Sequence, residues 1–306
     1  MPSIFIDGEA GTTGLGIRER LATVGDVTIN RIDPAHRKDT GARLHMMAQS
    51  DLVVLCLPDD AAREATALAA SLGDRAPKLL DASTAHRCDA KWAFGFSELS
   101  PAQRTAIMGA RHVTNPGCYP TGAIALLRPL IAAGLIPADH PITINAVSGY
   151  SGGGRTAIEA HEADGGPAFI LYGLGLEHKH VPEIVTYTGL TRRPIFVPSV
   201  AHIRQGILVS VPLHLDLLPG RPTAGALHDA LAAYYPAGGQ VSVQQPIEGM
   251  LTLGALNGSD RMVLSVHGNA THGQAVLVAA LDNLGKGASG AAVQNIRLML
   301  GLGDAG

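Results

Sequence analysis

Short apolar runs alternate with helix-like segments along the first third of the chain. Apolar residues recur every three or four positions after residue 15 and over residues 61–72, a spacing that predicts helices. The apolar runs between them are short enough to be buried strands: residues 4–6, 27–32, 51–57 and 78–83. Because strand and helix alternate with short turns, this region is predicted to form a doubly wound parallel sheet.

The pattern changes in the second half of the chain. Apolar strands are predicted one after another with few helices between them: residues 141–147, 195–197, 207–211 and 262–266. Runs of strands of this kind favour an α+β domain. A helix-like run over residues 291–300 follows a glycine-rich stretch and closes the chain.

Composition and charge narrow the class of protein. The chain has 306 residues, enough for two domains, and a formal net charge of −3 with no basic block, which argues against nucleic-acid binding. No apolar run approaches the about 20 residues of a membrane span, and the N-terminus shows no signal peptide. The three cysteines are odd in number and show no metal-ligand spacing, so a reducing cytoplasm and no metal are expected.

A glycine-rich turn follows the first apolar run. Gly8, Gly11 and Gly14 have the spacing G-x-x-G-x-x-G, a variant of the dinucleotide-binding fingerprint G-x-G-x-x-G. Glycines let the backbone approach a pyrophosphate, whose charge then lies at the helix N-terminus beside Thr12 and Thr13. Close packing alone is the alternative explanation for three glycines in such a turn.

The end of the second apolar run favours NADP as the nucleotide. Arg37 and Lys38 lie where this kind of fold reads the adenosine ribose, and cations there suit a 2′-phosphate. Asp33 suits a free 2′-hydroxyl and leaves NAD open, and a solvated turn is the alternative for either cation. Pro58 ends the third run at the edge where open α/β sheets bind ligands.

Cys118 is the candidate nucleophile. It precedes Pro120, a residue that favours the start of a helix, and an apolar run over residues 123–127 follows. The thiol is therefore expected on the turn before a helix N-terminus, where free N–H groups and the helix dipole favour a thiolate. Cys56 lies within an apolar run and is expected to be a core residue, and Cys88 has no helix signal after it.

Two further segments supply candidate partners for this thiol. Residues 148–155 predict a glycine-rich strand-to-helix turn whose N–H groups, with Arg155, suit a phosphate or a carboxylate. If residues 177–184 are extended, His178 and His180 point to the same face. Pro182 predicts a helix start, which places His180 at a helix N-terminus. The positive end of the helix dipole disfavours imidazolium and keeps His180 a neutral base. A flexible loop and solvent-facing histidines are the alternatives. No third ligand completes a metal site.

Together these segments resemble the N-acetyl-gamma-glutamyl-phosphate reductase family in its shorter form. The resemblance spans nearly the whole chain and rests on residues 7–14, 81–87 (similar to D-x-S-A-D-F-R), 115–121, 148–155, 178–184 and 282–295. The segment around Cys118 and the last segment are highly specific.

The resemblance implies a fold and an assembly. An NADP-binding, Rossmann-type parallel-sheet domain of residues 1–117 and 285–306 is expected to hold an inserted catalytic and dimerisation domain. The inserted domain, residues 118–284, is expected to be α+β with a mixed or antiparallel sheet. A cytoplasmic homo-oligomer, a dimer or tetramer, acting on a small-molecule substrate is implied.

The resemblance also implies roles for single residues. Cys118 would form a thioester with an acyl phosphate, NADPH would reduce it to a semialdehyde, and His180, or alternatively His178, would serve as the general acid–base. The implied substrate-binding residues are Ser148, Gly149, Ser151, Gly152, Arg155, His178 and Glu183. The implied cofactor-binding residues are Gly8, Gly11, Thr12, Thr13, Gly14, Arg37, Lys38, Pro58, Ser83, Lys286 and Gly287.

Three other functions share part of this pattern. An aspartate-semialdehyde dehydrogenase, acting on another acyl phosphate, has a similar architecture and chemistry. A reductase of carrier-bound lysine precursors is a further relative. A non-catalytic NADP-binding sensor would keep the glycine turn and need no poised thiol.

Overall fold

The structure is a computed structural model that describes residues 1–163 and 165–303. The chain divides into two compact units: Met1–Pro116 with Ala288–Gly306, and Gly117–Gly287. The return to the first unit was predicted at residue 285. Lys286 and Gly287 lie instead in the second unit, where they hydrogen-bond to Gln240 and Asp282.

The first unit is a six-stranded parallel sheet with helices. Its elements are β1 (Ser3–Asp7), α1 (Thr12–Val24), β2 (Thr28–Asn30), α2 (Thr40–Ala48), β3 (Leu52–Leu55), α3 (Asp59–Ala70), β4 (Lys78–Asp81), β5 (Ala93–Phe94), α4 (Gln103–Gly109), β6 (His112–Thr114) and α9 (Gly290–Leu300). The strand order is β2-β1-β3-β4-β6-β5, and every neighbouring pair is parallel. All four side chains of β3 are buried, as the uninterrupted apolar run predicted.

The second unit is a seven-stranded mixed sheet with helices. Its elements are α5 (Cys118–Ala132), β7 (Thr143–Gly149), α6 (Gly154–Ala163), β8 (Phe169–Leu171), α7 (Val181–Thr188), β9 (Ile195–Ala201), β10 (Ile207–His214), α8 (Ala224–Tyr234), β11 (Val241–Gln244), β12 (Met262–Asn269) and β13 (Gln274–Leu281). The strand order is β11-β12-β13-β10-β7-β9-β8, in which β11 with β12 and β7 with β9 are parallel pairs. The predicted fold class is therefore confirmed.

Helix α5 is the central helix of the second unit. Most of its side chains are buried because it packs against β10 and β13 on one side and against α7 and α8 on others. Gly122 permits this close packing, since a Cβ there would lie 2.9 Å from Val209 Cγ2. The N-terminal residue of this buried helix is Cys118.

Across residues 1–163 and 165–303, no helix is both long and apolar enough to cross a membrane.

Candidate active site

Cys118 is the first residue of α5, and its side chain is partly buried. The sequence pattern predicted a helix start at Pro120, but the helix begins two residues earlier, which puts Pro120 in the first turn. Proline is tolerated there because the first-turn N–H groups have no partner within the helix. The preceding Gly117 is extended, at φ −73° and ψ 150°, and provides no side chain to cap the helix. The thiol therefore lies at the positive end of the helix dipole.

Gly287 forms a close wall of the thiol site. A Cβ at this position would lie 3.0 Å from the Cys118 Cβ and 3.0 Å from the Asp282 carbonyl oxygen. The Gly287 N–H donates to that same Asp282 carbonyl at 2.9 Å. A larger residue would press against Cys118 and the Asp282 carbonyl, so glycine suits this close approach.

A buried carboxylate holds the turn before Cys118. Glu183, in the first turn of α7, accepts the Gly117 backbone N–H at 2.8 Å and is only 1% exposed. Glu183 was predicted from the resemblance to bind substrate. Its contact with Gly117 could not be foreseen, because it joins residues 66 positions apart.

His178 and His180 lie side by side, but for a different reason than expected. The segment before α7 is a turn and not extended: the Val181 N–H donates to the His178 carbonyl at 3.0 Å. The two ring centroids are 4.7 Å apart, and both rings contact Tyr119 edge-on. His180 is buried and caps the N-terminus of α7, as Pro182 predicted.

His178 is held as a neutral imidazole. Its Nδ1 accepts the His180 backbone N–H at 3.1 Å, which assigns the proton of the neutral ring to Nε2. Burial first, and the positive charge of Lys179 second, lower the pKa of His178 below its ordinary value. The ring is therefore an uncharged base or donor near neutral pH.

Two tyrosines that the sequence pattern did not single out complete the surroundings of the thiol. Tyr119 donates its hydroxyl to the Ser199 carbonyl at 2.8 Å, and the Tyr172 hydroxyl lies 3.5 Å from the Tyr119 hydroxyl. Burial raises the pKa of both, with the Cys118 charge as a further cause. Both phenols therefore stay protonated at physiological pH and keep their donor hydrogens.

The predicted anion-binding turn is tied down by a downstream segment. Ser148, Gly149 and Ser151 are buried, and Ser151 Oγ accepts from Asn283 Nδ2 at 2.9 Å. Asn283 Oδ1 in turn accepts the Gly206 backbone N–H at 2.7 Å. The sequence pattern predicted no role for Asn283, whereas the structure shows that it holds the turn in place.

The members of this turn differ in their access to a ligand. Gly152 is exposed, and a Cβ there would lie 3.0 Å from Ser148 Oγ. Arg155 is also exposed and donates to Glu159 at 2.7 Å, one helical turn along α6. An exposed ion pair of this kind contributes little to stability, so the guanidinium can exchange this partner for another anion.

The glycine turn of the first unit is sterically constrained at two of its three glycines. Gly8 adopts φ +90°, and a Cβ there would lie 2.3 Å from the Cys56 carbonyl oxygen. A Cβ at Gly14 would lie 2.8 Å from the Gly8 carbonyl oxygen, whereas Gly11 has only one such neighbour, at 3.6 Å. Gly11 caps α1, whose first turn contains Thr12, Thr13 and Gly14 and leaves N–H groups free for an anion.

A cavity beside this turn is large enough for a nucleotide. Ligand sites commonly have volumes of about 300–1000 Å³, and this one has ≈ 960 Å³. Arg31 also lines the cavity. It was not among the cofactor-binding residues predicted from the sequence, although it lies near the end of the second apolar run, where such cations are expected. Asp33 Oδ1 accepts the Ala35 N–H at 2.8 Å, so this carboxylate is engaged in its own turn. The lining residues include Gly8, Gly11, Arg18, Arg31, Asp33, Arg37, Lys38 and Pro58.

The remaining residues predicted to bind the cofactor lie in buried networks. Ser83 is buried and donates through both its N–H and its hydroxyl to Asp81. Lys286 is 1% exposed, and its Nζ donates to Gln240 Oε1 at 3.0 Å within the second unit. Neither side chain lines the cavity beside the Gly8 turn.

Cys118 differs from the cysteine of the first sheet. Cys56 directly follows β3, and burial, with the carboxylates of Asp81 and Asp7 nearby, raises the pKa of its thiol to about 12. Cys88 is exposed. Among the described residues, no three or more histidine, cysteine or acidic side chains come together as a metal site.

Comparisons with known proteins place the chain among semialdehyde dehydrogenases and their relatives. Residues 118–283 match the family model described as "Semialdehyde dehydrogenase, dimerisation domain". The chain is 49% identical to N-acetyl-gamma-glutamyl-phosphate reductase of Burkholderia ambifaria, covering 100% of this chain and 98% of the relative. It is 50% identical to N-acetyl-gamma-glutamyl-phosphate reductase 2 of Pseudomonas putida, with 98% and 97% covered.

Solved structures of distant sequence share the fold. Aspartate semialdehyde dehydrogenase II of Vibrio cholerae, solved with ASA, superposes with a TM-score of 0.73 at 15% identity, covering 98% of each chain. Aspartate semialdehyde dehydrogenase of Candida albicans, solved with NADP, has a TM-score of 0.66 at 13% identity, again covering 98% of each chain. At these identities the likeness establishes the fold alone.

Proposed function

The chain belongs to the family of N-acetyl-gamma-glutamyl-phosphate reductases, and on that premise we propose that it reduces N-acetyl-gamma-glutamyl phosphate to N-acetyl-L-glutamate 5-semialdehyde. This reaction is a step of arginine biosynthesis. The observation that carries the proposal is the thiol of Cys118 at the N-terminus of α5, with His178, His180 and the Glu183 carboxylate on the adjoining helix and turn.

Cys118 is the proposed nucleophile. Its thiolate attacks the acyl carbon, the new S–C bond forms, and the C–O bond to phosphate breaks with its electron pair leaving on phosphate. The helix N-terminus favours the thiolate and so supports this step. The result is a thioester on Cys118 and free phosphate.

NADP(H) is the proposed cofactor, and when bound it supplies the hydride. The cavity beside the Gly8 turn supports this proposal, because Arg31, Arg37 and Lys38 suit a 2′-phosphate. Asp33, the residue that would favour NAD, already accepts the Ala35 N–H. We assign the pyrophosphate to the N–H groups at the start of α1.

His180 is the proposed general acid–base. After hydride addition the tetrahedral oxyanion collapses, the C–S bond breaks, and the thiolate of Cys118 is regenerated as the aldehyde leaves. His180 takes the thiol proton before attack and returns it to the departing phosphate or thiolate. Because Nδ1 of His180 is buried, we assign this transfer to Nε2. His178, neutral near pH 7, is assigned to the substrate carboxylate as a donor.

The phosphate or carboxylate group of the substrate is assigned to the turn at residues 148–155. Gly149, Tyr150 and Ser151 already donate their backbone N–H groups to carbonyl oxygens of residues 203–206. The assignment is therefore supported by the exposed Arg155, whose guanidinium suits phosphate or carboxylate, and the Asn283 contacts keep the turn ordered for binding. Ser148, Gly149, Ser151 and Gly152 contribute the backbone of this turn.

A panel of semialdehydes tests the proposal in the reverse direction. With phosphate present, N-acetyl-L-glutamate 5-semialdehyde is expected to reduce NADP⁺ faster than NAD⁺, and aspartate 4-semialdehyde is expected to be a poor substrate. Cys118→Ser should abolish the reaction, and His180→Asn should slow it by about 10²–10⁴-fold. Near-normal turnover by Cys118→Ser, or faster reduction with aspartate 4-semialdehyde, contradicts the proposal.

A further inference from the structure

The Glu183 carboxylate lies at the N-terminal ends of two helices. It is the third residue of α7, and its Oε1 accepts the N–H of Gly117, the residue that caps α5. A glutamate at this position commonly folds back to cap its own helix. Here it also reaches the neighbouring helix, and α5 and α7 pack against each other.

We propose that Glu183 is a positioning residue for Cys118 and sets the acidity of its thiol. The carboxylate holds the backbone turn on which the thiol stands, and its negative charge shares one helix N-terminus with the thiolate. This inference rests on the proposed function and deepens it, because it replaces substrate binding as the role of Glu183.

Burial favours this role over contact with substrate. Glu183 is 1% exposed, so a substrate would have to displace the groups that cover it before making contact. Its hydrogen bond to Gly117 is direct, at 2.8 Å, and Gly117 precedes Cys118 in the chain. A side chain so placed acts on the reaction through Cys118.

The charge of Glu183 has a predictable effect on the thiol. Two anions at the same helix N-terminus repel each other, so the carboxylate holds the pKa of Cys118 higher than a neutral residue would. A thiolate of higher pKa is the stronger nucleophile, and the best attacking thiol has a pKa near the working pH. Glu183 thereby offsets the stabilisation that the helix dipole gives the thiolate.

Other titratable groups lie on α5 and on the neighbouring segments, and their charges bear on the measurement. They lie on α5 itself, on the segments before α7 and on the segment that ends at Gly287: Tyr119, Tyr172, His178, Lys179, His180, Asp282 and Lys286. Tyr119 and Tyr172 have raised pKa values, so they stay neutral across the range of the experiment. His178 has a lowered pKa and changes charge at the acid end.

The test is the pH dependence of Cys118 alkylation in Glu183→Gln. The glutamine oxygen still accepts the Gly117 N–H, and only the charge is lost. The rate of iodoacetamide labelling is read by mass spectrometry on the peptide that contains Cys118, so that Cys56 and Cys88 are scored separately. In Glu183→Gln we expect the midpoint of the curve of Cys118 labelling rate against pH to fall by about one pH unit. The labelling rate at the high-pH plateau of this curve should fall about threefold.

Two further variants make the outcome decisive. Glu248→Gln removes an exposed carboxylate of the same unit and should leave the midpoint unchanged. Glu183→Asp keeps the charge but shortens the reach to Gly117, so its midpoint should stay near that of the wild type while kcat falls. An unchanged or raised midpoint in Glu183→Gln, or an equal fall in Glu183→Asp, overturns the proposal.

The labelling experiment needs no substrate, so it is independent of the proposed reaction. If the wild type fails to reduce NADP⁺ with any semialdehyde, the proposed function is wrong, yet the alkylation midpoints still decide the role of Glu183. If turnover is normal and the midpoints do not move, only the role of Glu183 is wrong.

Discussion

At the scale of single residues, the proposed nucleophile is distinguished by its position on a helix. Cys118 begins α5, whereas Cys56 follows a buried strand and has a pKa of about 12. The sequence pattern placed these two cysteines in different local structure, at a helix start and at the end of an apolar run, because both are local signals. The Glu183–Gly117 contact could not be predicted, because it depends on how two helices pack.

The lowered pKa of His178 predicts a pH-dependent stability. Because the folded pKa lies below the unfolded value of about 6.5, the neutral ring contributes stability above pH 6.5 that is lost as the pH falls through the folded pKa. In His178→Asn the asparagine oxygen can still accept the residue-180 N–H, as in an Asx turn, without titrating. The urea midpoint of this variant should therefore fall less than that of the wild type between pH 7.5 and pH 5.

His272→Asn is the matched control for the loss of one histidine. His272 is exposed on the turn between β12 and β13, far along the chain from the turn that holds His178. This variant should lose stability with falling pH as the wild type does. An equally steep fall in His178→Asn would show that His178 is not held neutral by the fold.

At the scale of elements, the glycine turn before α1 combines a steric and a binding role. Gly8 is required twice, by its φ of +90° and by the Cys56 carbonyl oxygen, which would lie 2.3 Å from a Cβ at this position. Gly25, the cap of α1, has φ +71° but open space around it. Gly11 has no positive φ and only one neighbour, at 3.6 Å.

Alanine at these three positions should separate folding from binding. Gly25→Ala should lower the free energy of unfolding by about 1–2 kcal/mol, the cost of the left-handed conformation. Gly8→Ala adds the backbone clash and should cost clearly more. Gly11→Ala should unfold like the wild type but bind NADPH at least about tenfold more weakly, because its methyl group occupies the proposed pyrophosphate site. Thermal unfolding measures the change in stability, and NADPH titration measures the change in affinity.

Two results would contradict this account of the turn. Equal destabilisation by Gly8→Ala and Gly25→Ala would show that the Cys56 carbonyl does not constrain the turn. Unchanged NADPH affinity in Gly11→Ala would show that the phosphate binds elsewhere.

The elements themselves were mostly predictable, and their ends were not. The apolar runs predicted β3, β9, β10 and β12, because buried strands leave an uninterrupted or alternating signal. The start of α5 was wrong by two residues, because Pro120 fits equally well later in the first turn. The helix start at Pro182 was predicted correctly, whereas the turn that brings the two histidines together before α7 left no local signal.

At the scale of the whole molecule, two units carry separate parts of the proposed chemistry. The first unit contains the glycine turn and the basic cavity, and the second contains Cys118, the histidines and the turn at residues 148–155. The alternation of strands and helices predicted the parallel sheet of the first unit. The assembly of Asn283, Gly206 and Ser151 was not predictable, because it joins three distant segments. The expected homo-oligomer and cytoplasmic location stay predictions.

The central claim is that Cys118 accepts an acyl group from N-acetyl-gamma-glutamyl phosphate. The most direct measurement is the mass of the intact protein, and then of its Cys118 peptide, after brief mixing with this compound in the absence of NADPH. The wild type is expected to gain one N-acetylglutamyl group on the peptide that contains Cys118, release one phosphate, and lose the group as semialdehyde when NADPH is added. An unmodified Cys118 in protein that still turns the substrate over would contradict the account.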